Sequence, residues 1–501
     1  MGRDMPSWRN MPVIYEINTW VWLEELSRQA GRRVTLANVP PTELAQLADD
    51  GFDAVWLMGV WQRSPAGRRV AQEHRGLQAE YHRALPDFTP PDVVGSPYAI
   101  HAYHVDPALG GDAELAALRQ RLRKLNLRLI LDFVPNHLAL DHLWVTQQPH
   151  LFVPGSPDDV ARAPENYFRA AEHILAHGRD PYFPGWTDTV QLDYRRPETR
   201  QAMIETLLSI TARCDGLRCD MAMLVTGEVF RRTWGGAFEP PDAEFWPDAI
   251  AQIKASRPDF LLLAEVYWDI EYTLLQQGFD YCYDKRLYDR LRAGDMAALR
   301  DHVRLASTDY QRRLVHFIEN HDEPRALAVF GPGRNQAAAV AALTLPGARL
   351  IHQGQTAGYR LKLPVQLGRY HPEAPEPGLE DFYRRLLAAL HQPVFHEGQW
   401  RWLEPQKAWP GNPSHQTFFA SGWQRDQARW LAVINLAAHP SQCYLPLPWP
   451  ELAGSQWDLY DRLSDIVYCR QGDDLLTPGL YLDVPGLGYH LFVLEKRKAE
   501  P

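Results

Sequence analysis

Cysteine is scarce and scattered in this 501-residue chain, which has only five, with no CxxC pair. Their odd number and the lack of paired spacing argue against a disulfide framework and against a cysteine zinc site. The chain also lacks any apolar run of the roughly 18–20 residues that a membrane span requires. It has no internal repeat and no low-complexity tract. The sequence therefore excludes a disulfide scaffold, a helical membrane protein and a repeat protein.

Positive charge is in the minority, with 52 Lys and Arg against 62 Asp and Glu and a net charge of −10. This balance argues against a nucleic-acid partner and against an anionic membrane surface. The stretch from Met1 to Met11 has no apolar core of the kind found in signal peptides, so we expect a cytoplasmic protein. The 17 Trp and 21 Tyr offer flat faces that suit sugar rings, although core packing must account for most of them.

Short apolar runs alternate with helical patterns along the first four fifths of the chain. Eight such runs predict an α/β fold, a (β/α)8 TIM barrel, rather than an open doubly wound sheet. No GxGxxG motif follows the first run, which argues against a dinucleotide-binding fold. Asp112 is the predicted N-cap of a helix over 113–125. The predicted strands are Pro12–Asn18, Ala54–Met58, Arg128–Val134, a short one around Leu217, Phe260–Ala264, Phe279–Tyr283, Arg313–Ile318 and Ala348–His352.

Two connections, 59–107 after the second strand and 138–192 after the third, are too long to be plain loops. We interpret 138–192 as a small inserted subdomain. After about residue 393 short apolar segments alternate with turn residues, which predicts a C-terminal antiparallel β-sandwich domain. The predicted domains are therefore a barrel over 1–137 and 193–392, a subdomain over 138–192 and a sandwich over 393–501.

The stretch from Asp215 to Asp220 carries the strongest chemical signal. Side chains alternate along a strand, so Arg218 and Asp220 point to the same side, and the guanidinium favours an ionised carboxylate. A fixed, ionised carboxylate at the C-terminal end of a strand is suited to act as a nucleophile. A buried structural ion pair explains the same two residues equally well.

Other polar residues also fall where predicted strands end. In a closed barrel these positions converge on one mouth, so three carboxylates would share a site with an arginine and two histidines. Independent structural salt bridges are the alternative. Trp56 and Trp61 are interpreted as packing residues, and His101 and His104 lie in a loop, which argues against a metal site there. The converging residues are Asp132, Asn136, His137, Arg218, Asp220, Glu265, Asn320, His321 and Asp322.

Four segments occur in the order of a known pattern: DFVPNH at 132–137, GLRCD at 216–220, AEV at 264–266 and FIENHD at 317–322. Together they resemble the four conserved regions of the alpha-amylase superfamily, glycoside hydrolase family thirteen. The resemblance implies that Asp220 is the nucleophile, Glu265 the general acid/base and Asp322 the transition-state stabiliser. It further implies a substrate-binding set of Tyr98, His137, Arg218 and His321.

Trp268, three residues after Glu265, either stacks on the leaving-group sugar or packs internally. In calcium-binding members of the superfamily an asparagine like Asn136 is a ligand. The segment after Asp220 lacks the Lys-His pair that often supplies other ligands there. We therefore expect no required cofactor, with calcium at Asn136 as the open alternative.

The chemistry agrees with these roles. Cleavage of an α-glucosidic bond with retention needs an ionised and a protonated carboxyl group about 5–5.5 Å apart. Glu265 follows an apolar run and has no adjacent cation in the sequence, which favours its protonated form. We expect a retaining enzyme that hydrolyses α-glucans, maltooligosaccharides or α-glucosides through a covalent glycosyl-Asp220 intermediate.

Two alternatives remain from the residues alone. The same site in a transglycosylase or isomerase, of trehalose-synthase or sucrose-active type, would pass the intermediate to a sugar. A catalytically silent carbohydrate-binding relative would keep the fold without turnover.

Overall fold

Eight parallel strands arranged in chain order form a closed barrel, as the alternating pattern predicts. The computed structural model describes residues 7–240 and 243–497. The first residues of the predicted barrel domain, 1–6, lie outside that range. The barrel strands are β1 (Val13–Asn18), β2 (Ala54–Met58), β3 (Arg128–Phe133), β4 (Gly216–Cys219), β5 (Leu261–Ala264), β6 (Tyr281–Tyr283), β7 (Leu314–His316) and β8 (Ala348–His352).

The barrel strands are buried along most of their length rather than at alternate residues, because both faces of a parallel barrel are covered. Every residue of β2, β4 and β5 is buried. The register pairs Leu217 of β4 with Leu131 of β3 on one side and with Leu262 of β5 on the other. This register brings the ends of β3, β4 and β5 to the same level.

Helices follow the barrel strands, as the alternating pattern predicts. The first helix, Thr19–Ala30, was not predicted; Asn18 caps it by accepting a hydrogen bond from the Val21 N–H. The helices outside the long connections are Thr19–Ala30, Pro41–Asp49, Asp112–Lys124, Pro197–Thr211, Gly227–Trp234, Phe245–Ser256, Glu271–Gln276, Lys285–Ala293, Met296–Leu305, Thr308–Gln311, Ala326–Phe330, Pro332–Leu343, Leu379–Leu390 and Val394–Glu397.

The predicted N-cap at Asp112 is wrong by one position. Gly111 occupies the cap with φ of 110°, and Asp112 is the first helical residue. The Asp112 carboxylate instead accepts a hydrogen bond from the Val105 N–H at 2.9 Å. Glycine fits there because a positive φ is strained for residues with a Cβ.

The connection after β2 has its own small core, which explains its length. The strands Trp61–Arg63 and Ile100–Val105 pair antiparallel, with helices Pro65–Glu73 and Arg75–Ala84 between them. Buried residues Tyr81, Leu85, Val93 and Leu367 pack together there.

The connection after β3 is built from two small antiparallel ladders. Strand His137–Ala139 pairs with Thr189–Gln191, and Tyr167–Ala170 pairs with His173–Ala176. Helices Leu143–Gln147 and Pro157–Arg162 lie between them in the chain. The segment thus has its own secondary structure; the predicted boundaries at 137, 192 and 392 stay a prediction.

Two antiparallel sheets follow the barrel in the chain. Their strands are β9 (Gln399–Trp402), β10 (Gln406–Lys407), β11 (Phe418–Arg425), β12 (Ala428–Asn435), β13 (Ser441–Leu445), β14 (Gln456–Asp461), β15 (Val467–Gln471), β16 (Leu480–Val484) and β17 (Tyr489–Lys496). The six-stranded sheet has the order β9-β11-β12-β17-β14-β15 and the three-stranded sheet the order β10-β13-β16. One buried cluster contains Phe418 and Leu431 of the first sheet with Leu445 and Leu482 of the second, so the sheets form the predicted sandwich.

Internal contacts divide the chain into two compact units. The first consists mainly of Ile14–Tyr283 with Lys362–Pro372, and the second of Asp284–Leu361 with Arg9–Val13 and the chain from Glu373 onward. Within the residues described, no helix has the length and apolarity needed to cross a bilayer.

Candidate active site

Asp220 and Glu265 directly follow the neighbouring strands β4 and β5. Cys219 pairs with Ala264, so the next residue of each strand stands at the same level. The Glu265 N–H donates to the Cys219 carbonyl at 3.0 Å, and the Asp220 N–H donates to the Phe133 carbonyl at 2.8 Å. The backbone at both residues is therefore fixed by the barrel's own hydrogen-bond ladder.

Arg218 connects the two carboxylates. Its Nη1 donates to Asp220 Oδ1 at 2.6 Å, and its Nη2 lies 2.8 Å from Glu265 Oε2. The arginine is fully buried, and Asp220 and Glu265 are 6% and 3% exposed. Burial disfavours its charge, but Glu265, the tyrosines and Asp220 raise the pKa of Arg218 well above its usual value. The guanidinium is thus a permanent cation between two acids.

Aromatic rings enclose this guanidinium. Its Cζ lies 5.3 Å from the Trp56 ring, 5.2 Å from Tyr98 and 5.9 Å from Tyr283. Such contacts stabilise a buried cation without adding a competing acceptor. Tyr98, a member of the predicted substrate-binding set, therefore packs against the arginine that contacts both carboxylates.

Trp56 and Trp61 both donate hydrogen bonds to Asp132 of the barrel strand β3. The Trp56 Nε1 donates to Asp132 Oδ1 at 3.1 Å, and the Trp61 Nε1 donates to the Asp132 carbonyl at 2.8 Å. The N–H of Gly59 donates to the second carboxylate oxygen of Asp132 at 2.9 Å. These contacts confirm the interpretation of both tryptophans as packing residues.

Glu265 accepts two further hydrogen bonds. The Met221 N–H donates to Oε2 at 2.6 Å, and the Tyr267 hydroxyl donates to Oε1 at 2.7 Å. Met221 adopts φ of 42°, a left-handed turn immediately after Asp220. No cation is adjacent to Glu265 in the sequence, but the fold brings one to it, Arg218 of the neighbouring strand. Sequence reasoning also missed Tyr267, although its position two residues after Glu265 was the available signal.

His137 is buried and neutral. Burial lowers its pKa to about 4, although a hydrogen bond to the Tyr98 backbone acts in the opposite direction. Its ring centroid is 5.1 Å from that of Trp186. The structure thus places His137 against Tyr98, as the predicted substrate-binding set requires.

Trp268 lies in a strained turn after Glu265. It has φ of 64° and the following Asp269 has φ of 62°. Its ring meets Tyr182 edge to face at 5.0 Å, and Tyr182 is 59% exposed. A non-glycine pair in this conformation persists only where the surroundings hold it. The turn presents Trp268 and Tyr182 as one aromatic pair.

Asp322 and His321 follow β7 in the second unit. The His321 Nε2 lies 3.0 Å from Asp322 Oδ2, and the Asp322 side chain is 41% exposed. Asn320 Oδ1 accepts hydrogen bonds from the N–H groups of Asp322 and Glu323. The turn therefore presents the Asp322 carboxylate to solvent with one histidine beside it.

Asn136 binds a glutamine amide where calcium ligation is the open alternative. The Gln191 Nε2 donates to Asn136 Oδ1 at 2.9 Å, to the Asn136 carbonyl at 2.9 Å and to the Leu192 carbonyl at 3.1 Å. Three carbonyl oxygens thus surround an N–H donor, whereas calcium is bound by six to eight oxygen ligands. The residues around Asn136 do not fit a calcium ion.

The two loop histidines bind separate carboxylates. His101 Nδ1 lies 3.3 Å from Asp141, and His104 Nδ1 lies 2.9 Å from Asp112. Over residues 7–240 and 243–497, no three His, Cys, Asp or Glu side chains converge as a metal site.

Comparison with known proteins agrees with this architecture. The family profile of the alpha amylase catalytic domain matches residues 42–362. The alpha-amylase MalA of Haloarcula japonica is 23% identical over 454 residues, which cover 88% of this chain and 58% of MalA. The alpha-1,4-glucan:maltose-1-phosphate maltosyltransferase of Rhodospirillum rubrum is 26% identical over 66% of this chain and 44% of its own length. The chain thus spans about half the length of these curated relatives.

Among solved structures, the maltogenic alpha-amylase AmyB of Thermotoga neapolitana superposes with a TM-score of 0.68 at 19% identity, covering 96% of this chain and 98% of AmyB. At that identity the likeness shows the fold. The catalytic-domain profile, by contrast, spans well over half of the sequence and includes Asp220, Glu265 and Asp322. The chain belongs to the alpha-amylase family.

Proposed function

We propose that the chain is a retaining α-glucosidic enzyme that hydrolyses α-glucans or short maltooligosaccharides. The observation that carries the proposal is the contact of one guanidinium with both acids. Arg218 Nη1 donates to Asp220 Oδ1 at 2.6 Å, and Arg218 Nη2 lies 2.8 Å from Glu265 Oε2. One guanidinium in contact with two buried acids keeps them close enough for double displacement.

In the first step, an Asp220 oxygen attacks the anomeric carbon while the bond from that carbon to the leaving oxygen breaks. Glu265 gives its proton to the leaving oxygen, so the leaving-group sugar departs as a neutral alcohol. Arg218 favours the ionised Asp220 that the attack needs. The product is a glycosyl ester on Asp220 and an ionised Glu265.

In the second step, Glu265 takes a proton from water, whose oxygen attacks the same carbon and releases Asp220. The anomeric configuration is inverted twice and therefore retained. We assign Asp322 the stabilisation of the oxocarbenium-like transition state; this role rests on its motif, FIENHD at 317–322.

Tyr98, His137 and His321 are proposed to bind the sugar at the cleavage point, and Trp268 the leaving-group sugar. A neutral His137 can line the sugar site without adding charge to the pocket. We propose that no metal takes part, in accord with the Gln191 amide at Asn136. The cytoplasmic location stays a prediction. So does the absence of a nucleic-acid partner, which the net charge of −10 supports.

The test is a panel of maltooligosaccharides and α-glucosides, with the initial product anomer read by proton NMR. We expect α-anomers first, and a matching loss of turnover in Asp220→Asn. The exposed Asp158→Asn is the matched control and should keep wild-type turnover. Initial β-anomers, or undiminished turnover in Asp220→Asn, would overturn the proposal.

Glycosyl transfer is the second candidate, favoured by the match to a maltosyltransferase and by the Trp268–Tyr182 pair after Glu265. An acceptor sugar held by these rings would compete with water for the glycosyl-Asp220 ester. Product analysis with and without added glucose separates the two: transfer gives longer or rearranged oligosaccharides, and hydrolysis does not. A silent binding protein would give no product from any member of the panel.

A further inference from the structure

The first unit contains a second cleft, of about 520 Å³, outside the carboxylate site. It lies at the start of helix Pro65–Glu73 and beside the first turn of helix Thr19–Ala30. Six residues define its chemistry: Trp20, Arg63, Arg68, Arg69, Gln72 and Asp106. The volume is within the range of about 300–1,000 Å³ typical of small-molecule sites.

Arg63 is the buried element of this cleft, only 7% exposed. Its Nη1 donates to the Gly95 carbonyl at 2.5 Å and to the Val365 carbonyl at 3.2 Å. Its Nε and Nη2 find no acceptor in the part of the chain that the structure describes. A buried guanidinium with unused donors costs free energy that a ligand's oxygen atoms would recover.

Two neighbouring side chains also have buried N–H donors without acceptors. The Trp20 Nε1 and the Arg68 Nε are buried and also lack an acceptor within the described residues. The Trp20 ring lies over the Arg63 guanidinium at 5.3 Å. Four donor nitrogen atoms on three residues of one cleft thus lack acceptors within the described residues.

The side chains that line the cleft carry a net positive charge. Arg63, Arg68 and Arg69 oppose a single carboxylate, Asp106, whose Oδ1 already accepts from the Ala108 N–H at 2.8 Å. Burial lowers the pKa of Arg63 to about 9, so it still carries its charge at neutral pH. The start of the helix is not itself the binding element, because the Ala66 N–H donates to Asp141 and the Gly67 N–H to Ser64.

We propose that this cleft binds a phosphoryl group, supplied either as inorganic phosphate or as a sugar phosphate. Guanidinium groups bind phosphate oxygens through paired, charge-assisted hydrogen bonds, and three of them converge here. The Trp20 ring supplies a flat face against which a sugar ring can pack. The volume exceeds what phosphate alone needs.

Gly59 lies between the cleft and the carboxylate site, because it is close to Arg63 on one side and binds Asp132 on the other. A Cβ at Gly59 would come within 2.8 Å of both Arg63 Nη2 and Pro97, and the Gly59 N–H binds Asp132. Arg63 also interacts electrostatically with Tyr98. A bound phosphate would thus lie close to the tyrosine that packs against Arg218.

The experiment is calorimetry and thermal unfolding of the full chain with inorganic phosphate, glucose 1-phosphate, glucose 6-phosphate and citrate, at constant ionic strength set with sodium chloride. We expect saturable binding of phosphate compounds and a raised unfolding midpoint. Tighter binding of a sugar phosphate than of phosphate identifies the sugar phosphate as the ligand; equal binding identifies phosphate itself. Saturation by citrate alone would overturn the proposal.

The variants Arg68→Gln and Arg69→Gln remove charge from the cleft without touching buried Arg63. Each should weaken phosphate binding about tenfold, the usual effect of losing one charge-assisted hydrogen bond. Arg75→Gln, on the next helix and outside the cleft, is the matched control and should bind as wild type. Wild-type binding in both cleft variants, an equal loss in Arg75→Gln, or no saturable binding of any phosphate compound overturns the proposal.

Discussion

The Nη2 atom of Arg218, on β4, lies 2.8 Å from Oε2 of Glu265, which follows the neighbouring strand β5. The same guanidinium donates to Asp220. Only a planar fork reaches two acids at once, so lysine is not an equivalent replacement.

We therefore expect Arg218→Lys to lower kcat by about 10²–10³-fold, the usual cost of removing one preorganised donor from an active site. Initial rates on maltooligosaccharides measure the effect. The matched control is Arg349→Lys, since Arg349 is equally buried and donates to backbone carbonyls, including those of Met11 and Phe395. That variant should lose stability yet keep kcat per folded molecule. Full kcat in Arg218→Lys would contradict the bridging role.

Glu265→Gln removes the group that protonates the leaving oxygen. On maltooligosaccharides kcat should fall by about 10²–10⁴-fold, the usual contribution of general acid–base catalysis. An aryl glucoside with an acidic phenol as its leaving group needs no proton, so formation of the glycosyl ester should stay fast. A burst of phenol, followed by slow turnover that added azide accelerates, is the expected signature. Asp220→Asn is the contrast, because it should lose activity on both substrates.

How far the sequence predicts this site can be judged from Asp220 and Glu265. Each follows a short apolar run, and parallel strands in chain order bring the ends of consecutive strands together. That reasoning needs only the periodicity of the chain. It also places the sandwich strands, because alternation and turn residues are local signals.

The contact between Arg218 and Glu265 needs more than local signals. The two residues are distant in the chain, and their meeting depends on the register that pairs Arg218 with Leu263. The Gln191 amide at Asn136 likewise comes from another strand, through the pairing of His137 with Gln191. The shift of the cap from Asp112 to Gly111 is a local error, since both residues are good N-caps.

Asp284 anchors the second unit through two histidines. His302 Nε2 lies 2.9 Å from its Oδ1, and His316 Nδ1 lies 3.3 Å from its Oδ2. Although burial acts to raise it, these hydrogen bonds hold the pKa of Asp284 well below its usual range. Asp284→Asn should lower the free energy of unfolding by about 3–5 kcal/mol, the usual cost of breaking a buried pair from one side.

The sign of the pH dependence follows from that lowered pKa. The stabilisation is fully present above the unfolded value of about 3.9 and is lost as the pH falls below it. Thermal midpoints of wild type and Asp284→Asn should thus differ most near pH 7 and converge toward pH 2. Asp295→Asn, which keeps an N-cap side chain, should change little. A constant difference down to pH 2 would contradict the assignment.

His137 is a buried base that stays neutral, in contrast to Asp284, a buried acid that stays ionised. Its folded pKa of about 4 is below the unfolded value of about 6.5, so the unfolded chain takes up the proton first. Its contribution to stability is therefore full above about pH 6.5 and falls between about pH 6.5 and 4. In His137→Gln the thermal midpoint should fall less over this window than in wild type. An identical pH slope would contradict the neutral, buried state.

Gln191 holds the position between three carbonyl oxygens that a cation would otherwise take. Since the amide is part of the chain, the thermal midpoint and the activity should not change with EDTA. Gln191→Glu places a carboxylate against the Asn136 and Leu192 carbonyls, so we expect a lower midpoint in EDTA and partial recovery in millimolar calcium. The exposed Gln120→Glu is the matched control and should show neither effect. Loss of wild-type activity in EDTA, restored by calcium, would show that a cation and not the amide organises Asn136.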